Sequence, residues 1–141
     1  MQTVGRNWNC LRRWKGFGRS TPMRIAVFGA DMEDTSRICR KIQTYADERH
    51  MNAEISTFAS DEEFQRAFTP GRFRGAVVGC GDSKGFLCAR RVREEDRDCR
   101  VILIDDTDRY AIRGMRIHLT DYLLRPVGDE RFRVAMDRLF A

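Results

Sequence analysis

Three carboxylates and one guanidinium are the groups in this chain best placed to do chemistry, because each follows a short apolar run. Asp31 comes after residues 24–28 (RIAVF), Asp82 lies beyond 73–78 (FRGAVV), Asp105 follows 101–104 (VILI), and Arg125 follows 122–124 (YLL). Mg²⁺ is commonly held by one or two carboxylates and several waters, so Asp31 with Asp105 or Asp82 is a weak candidate metal set. Arg125 would compete for those carboxylates, since the arginine fork pairs bidentately with them. An ion pair of Arg125 with Asp31 or Asp105, fixing one charge state, is therefore expected.

Other chemistries find little support. Residues 79–85 (GCGDSKG) invite a phosphate-cradle reading, because glycine-rich turns before helices present N–H groups to anions. The stretch matches neither G-x-x-x-x-G-K-[ST] nor G-x-G-x-x-G, and it follows the third strand-like run instead of the first. It reads instead as a flexible loop that keeps Asp82 away from the other groups. His50 and His118 stand alone, and the five cysteines (Cys10, Cys39, Cys80, Cys88, Cys99) form no C-x-x-C pair. That argues against zinc and for a reduced compartment, the cytoplasm. No Ser-His-Asp or Cys-His set is present, so no enzyme and no cofactor is expected.

The elements that must position these groups alternate. Strand-like runs at 24–28, 53–58, 75–78, 100–104 and 122–124 are separated by segments of helical periodicity, which argues for a parallel sheet with helices on both faces. Ile38, Ile42, Tyr45 and Ala46 recur at helical spacing in the first helix. Ser60-Asp61-Glu62-Glu63 is a capping box that opens the second. The third is expected over 84–95 and a short fourth over 108–114. In the last helix Phe132, Ala135, Met136, Leu139 and Phe140 form one apolar stripe.

Those fragments resemble the receiver domains of two-component response regulators over residues 23–141. The resemblance rests on Gly29-Ala30-Asp31 after the first strand, on the strand ending at Gly79, on the one ending at Asp105, and on the run Asp121-Tyr122-Leu123-Leu124-Arg125-Pro126, which matches D-Y-L-x-K-P. The ending and the Tyr110-Ala111 helix start are most similar to receivers that precede LytTR-type DNA-binding domains. The family implies one doubly wound, flavodoxin-like sheet of five parallel strands in the order 2-1-3-4-5. It also implies that Gly79 stands at the phosphoacceptor Asp, Asp105 at the Thr or Ser, Arg125 at the Lys, and Asp31 in the Mg²⁺-binding acid cluster. Glycine cannot accept a phosphoryl group. The set Asp31, Gly79, Asp105 and Arg125 is accordingly expected to be a degenerate phosphorylation site. Tyr122 falls at the family's switch aromatic, and Tyr110, Arg113, Tyr122 and Arg131 fall on the fourth-helix, last-strand and last-helix face that receivers use for partners.

Charge separates the chain into two parts. Of 26 basic residues, Arg6, Arg12, Arg13, Lys15 and Arg19 lie in residues 1–22, which hold none of the 21 acids, so the net +5 belongs to that segment. Residues 1–22 are expected to be a disordered basic extension, and 23–141 a neutral receiver-like domain. A neutral body lacks the positive field that supplies non-specific nucleic-acid affinity. No apolar run approaches the ~20 residues that span a bilayer. The expected function is a pseudo-receiver in signal transduction, acting by contact with a protein partner or a second copy through that face. The alternative is a phosphorylatable, Mg²⁺-dependent regulator of a phosphorelay.

Overall fold

A computed structural model describes residues 22–80 and 82–141, the side chain of Asp82 excepted. The expectations for the first 21 residues lie outside the described ones.

Strand β1 (Met23–Phe28) sends Ile25 and Val27 to one face and Ala26 and Phe28 to the other. All four side chains are buried, as they must be in a parallel sheet covered on both sides. Helix α1 (Met32–Glu48) then crosses to β2 (Ala53–Phe58), and α2 (Asp61–Ala67) to β3 (Gly75–Val78). Helix α3 (Asp82–Glu95), β4 (Arg100–Asp105), α4 (Ala111–Arg116), β5 (Asp121–Leu124) and α5 (Asp129–Leu139) complete the chain. The strands form one parallel sheet in the order β2-β1-β3-β4-β5, as the resemblance implied.

Two apolar layers hold it together. Ile25, Val27, Ile55, Val77, Ile102 and Leu123 pack under α1 and α5, where the predicted stripe supplies Phe132, Ala135, Met136 and Leu139. Phe28, Phe58, Phe64, Phe73, Phe86 and Leu103 fill the opposite layer under α2 and α3. The Ser60 cap of the capping box read at α2 forms, its Oγ accepting from the Glu63 N–H at 3.1 Å.

Two helices depart from expectation. Ser83, Lys84 and Gly85 belong to α3, which starts two residues before the predicted position, so they are not a flexible loop. Gly85 is there for close approach: a Cβ on it would lie 2.0 Å from the Cys80 carbonyl oxygen. Helix α4 starts later than predicted and runs through Gly114 to Arg116. The preceding Tyr110 is held outside the helix, its N–H donated to the Tyr122 hydroxyl at 3.2 Å and its ring stacked on Phe86 at 4.9 Å.

Candidate functional site at the strand ends

Register brings the carboxyl ends of β1, β3, β4 and β5 to one edge. Phe28 pairs with Val78, Val78 with Leu103, and Asp105 with Leu124. The next residues are tied across by main-chain bonds, Gly79 N–H to Phe28 O at 2.7 Å and Arg125 N–H to Asp105 O at 2.9 Å. In an open α/β sheet this is where ligands bind.

Arg125 dominates the site. Its Nη2 donates to Asp34 Oδ2 at 2.7 Å and to the Gly79 carbonyl oxygen at 2.5 Å, while Nη1 donates to Asp106 Oδ1 at 3.3 Å. The ion pair expected with Asp31 or Asp105 is thus made with Asp34 and Asp106 instead. Asp31 is occupied as the N-cap of α1, where its Oδ1 accepts from the Glu33 and Asp34 N–H groups at 2.9 and 3.4 Å. Asp34, in the first turn of the same helix, reaches back over the strand ends because helical side chains tilt toward the N-terminus. Burial pushes the Arg125 pKa down, but the bonds and charges of Asp34 and Asp106 outweigh it and raise the guanidinium above its usual value.

The guanidinium also fills the space beside Gly79. A Cβ built there would lie 3.3 Å from Arg125 Nη2 and 3.4 Å from Ile38 Cδ1, tighter than ordinary contact for the first. Replacing Arg125 by Ala would leave Asp34, only 21% exposed, without this partner. We expect a loss of about 1–2 kcal/mol in denaturant melts, mostly from a carboxylate left with only the longer 3.6 Å contact to Arg37. A loss below about 0.5 kcal/mol would place the pair among exposed ones of little weight.

Asp105 is turned the other way. It is 3% exposed; its Oδ2 accepts from the Tyr122 hydroxyl at 2.9 Å and its Oδ1 from the Asp106 N–H at 2.7 Å. The Tyr122 oxygen also lies 2.9 Å from Thr107 O, so a single proton serves two acceptors. Burial raises the Tyr122 pKa to about 12; the Tyr110 N–H opposes that, while the bond and charge of Asp105 add to it. Tyr122 therefore stays a neutral donor at physiological pH.

The predicted partner-face residues separate. Tyr110 is buried at 7% exposure and cannot present itself to a partner. Arg131 grips Asp121 with both Nη atoms at 2.8 and 2.6 Å, and Arg138 joins at 3.0 Å. Burial pushes the Asp121 carboxyl up, but the hydrogen bonds from Arg131 and the Tyr122 N–H and the two arginine charges hold it below the carboxylate range. A depressed native pKa stabilises the fold above the unfolded value, and that share is lost as pH falls through the native one. Arg113 and Arg131 are both exposed and Tyr122 is half-buried; the Arg113 guanidinium lies 5.5 Å from the Tyr110 ring centre.

The carboxylates facing this edge are already engaged, Asp31 by main-chain N–H groups, Asp34 and Asp106 by Arg125, Asp105 by Tyr122. No three His, Cys, Asp or Glu side chains cluster as a metal site among the described residues. Among the described residues, carboxylates spent in this way do not make a donor set that fits Mg²⁺. The Asp82 side chain, the remaining metal candidate, lies outside the described groups.

No family model matches the chain. Among solved structures it is similar to the HemR receiver domain of Leptospira biflexa, with a TM-score of 0.70 and 14% identity over 84% of this chain and 94% of that one. The response regulator TrrA of Thermotoga maritima, in complex with Mg²⁺ and BeF, gives a TM-score of 0.68 at 17% identity, covering 83% and 98%. DrrB of Thermotoga maritima gives 0.64 at 21%, covering 85% of this chain and 53% of that one. The chain has the fold of a response-regulator receiver domain. A segment of 57 residues is 39% identical to the sensory transduction protein LytT of Oceanobacillus iheyensis, which supports the LytTR-type resemblance. That match takes in 39% of this chain and 23% of LytT.

Proposed function

We propose that this chain is a pseudo-receiver, a non-enzymatic signalling module that works through protein contacts without aspartyl phosphorylation or bound Mg²⁺. One observation carries the reading: the Arg125 guanidinium lies against Gly79 and bonds to its carbonyl oxygen, where the receiver fold would need a carboxylate nucleophile facing a metal. The positive charge that a metal would supply is then permanent, and Asp34 and Asp106 neutralise it. The bond from Tyr122 to Asp105 ties the aromatic to the same strand ends and supports a single fixed state.

The contact surface is α4 with the edge strand β5. Ile112 and Met115 are 68% and 75% exposed at i, i+3 spacing on α4, and Leu124 on β5 is 45% exposed. Exposed Arg109, Arg113 and Arg116 belong to the same region, which gives an apolar centre with arginines, a combination favoured at interfaces. The occupant we favour is a second copy of the chain, joined by a two-fold contact. Asp121 is spent on Arg131 and Arg138, so the carboxylates that could face the arginines across the two-fold are Asp108 and Asp129. Ile112→Asp with Met115→Asp should convert dimer to monomer in light scattering at micromolar concentration. An unmutated chain that is monomeric at high concentration ends the dimer claim.

Among the described residues no helix is long and apolar enough to cross a membrane. Cys39, Cys80, Cys88 and Cys99 are buried, and burial pushes the thiols of Cys88 and Cys99 well up. Buried thiols held protonated in this way suit the cytoplasm, where we place the protein.

A further inference from the structure

Beneath Arg125, between α1 and the connection from β5 to α5, lies a cavity of about 400 Å³. Its apolar part is Ile38, Ile104, Pro126, Val127 and Phe132; its charged part is Arg37, Lys41 and Arg125 against the single carboxylate of Asp34. Ile38, Ile104 and Phe132 are each no more than 7% exposed, so the apolar floor is recessed below a cationic rim. A flat protein surface would meet the rim and miss the floor. A small molecule could reach both, and the volume falls in the range of small-molecule sites, which are mostly apolar with a few polar groups fixing orientation.

Two of the rim cations, Arg37 and Lys41, are held loosely. Arg37 is 3.6 Å from Asp34 with its side chain 55% exposed, and Asp34 is already engaged by Arg125 at 2.7 Å. Lys41 Nζ lies 3.3 Å from an Asp129 carboxylate that is 99% exposed, 3.4 Å from the Val127 carbonyl oxygen and 5.3 Å from the Phe132 ring centre. Exposed pairs of this kind are worth about 0–1 kcal/mol, so an incoming anion can displace them. Arg37 shares Asp34 with Arg125, and Lys41 is paired with the fully exposed Asp129, so two weakly held cations edge an apolar floor, which suits an anion with an apolar body.

We propose that this cavity binds a small aromatic carboxylate, its charge between Arg37 and Lys41 and its ring on Ile38, Val127 and Phe132. The proposal does not depend on how the strand ends are read, because the two cations assigned to the carboxylate, Arg37 and Lys41, take no part in the Gly79 contact.

The test is a titration of the isotope-labelled full chain with indole-3-acetate and benzoate, followed by amide NMR, with indole-3-acetamide and benzamide as neutral counterparts. Saturable shifts centred on Ile38, Lys41, Val127 and Phe132 are expected for the carboxylates. The amides should bind at least about tenfold more weakly, as should the carboxylates to Lys41→Glu, the ratio that one charge contact of about 1.4 kcal/mol gives. Val127→Arg, a change at the half-buried wall that fills the space, should abolish the shifts while the rest of the spectrum stays native. Three results would each overturn the proposal: no saturable shift up to about 10 mM, far weaker than any specific site; equal binding of amides and carboxylates; or unchanged binding by a folded Lys41→Glu or Val127→Arg chain.

Discussion

Incubation with acetyl phosphate and Mg²⁺ is expected to leave the mass of the chain unchanged, and Gly79→Asp is expected not to restore phosphate uptake. The first expectation follows from glycine at the end of β3. The second follows from geometry, since a side chain at 79 would enter beside Arg125 Nη2, 3.3 Å from its Cβ. The new carboxylate would be captured by that fork, because paired charge-assisted bonds to arginine are strong, and a captured carboxylate is a poor nucleophile. Recruitment of a metal would also be hindered, with Asp31 capping α1 and Asp34 bound to Arg125. Intact mass spectrometry decides the matter. A gain of one phosphate by the unmutated chain, lost on Asp82→Ala, would place the acceptor at Asp82 and sink the reading.

Arg93→Ala is expected to cause the largest loss of stability, about 2–4 kcal/mol. Its Nε donates to Ile117 O at 3.1 Å, Nη1 to the carbonyls of Asp96, Arg97 and Cys99 at 3.2, 2.9 and 2.6 Å, and Nη2 to His118 O at 3.0 Å. One guanidinium thus ties the end of α3 and the entry to β4 to the turn that leads into β5, and so sets where Tyr122 arrives. Hydrogen bonds to a charged donor contribute about 1.5–3 kcal/mol each. The total falls well short of their sum because neighbouring contributions are not additive and the exposed carbonyls regain water. Arg93→Lys should recover little, since an ammonium cannot fork to carbonyls on both sides. Chemical denaturation checks this, and a loss below about 1 kcal/mol would mean that water already serves most of those carbonyls.

What was legible in the sequence was what is local or periodic. Strands at 53–58 and 75–78 were read to the residue because their apolar runs are bounded by turn residues, and the Ser60 cap because its motif is short-range. The α5 stripe appeared for the same reason. Arg125 was recognised as the cation of the site, but its partners were misassigned. Asp31 and Asp105 end or follow strands, whereas the groups that meet Arg125 are Asp34, projected back from the first turn of α1, and Asp106, one residue past the end of β4. A carboxylate one turn inside a helix that faces the strand ends is a signal that could have been read. The role of Gly85 could not, because glycine in a turn and glycine under a carbonyl look alike in sequence. The burial of Tyr110 depends on Phe86, in a different helix well back along the chain, and the Arg131–Asp121 grip joins α5 to β5, a contact that the spacing of the two residues does not announce.

The most direct test of the central claim is light scattering of the chain with and without beryllofluoride and Mg²⁺, which mimic the phosphorylated aspartate of a receiver. The strand-end site with Gly79 against Arg125 predicts the same mass, that of a dimer, in both conditions. A monomer that dimerises only when beryllofluoride and Mg²⁺ are added would contradict the account, because it would require a working acceptor carboxylate and metal site.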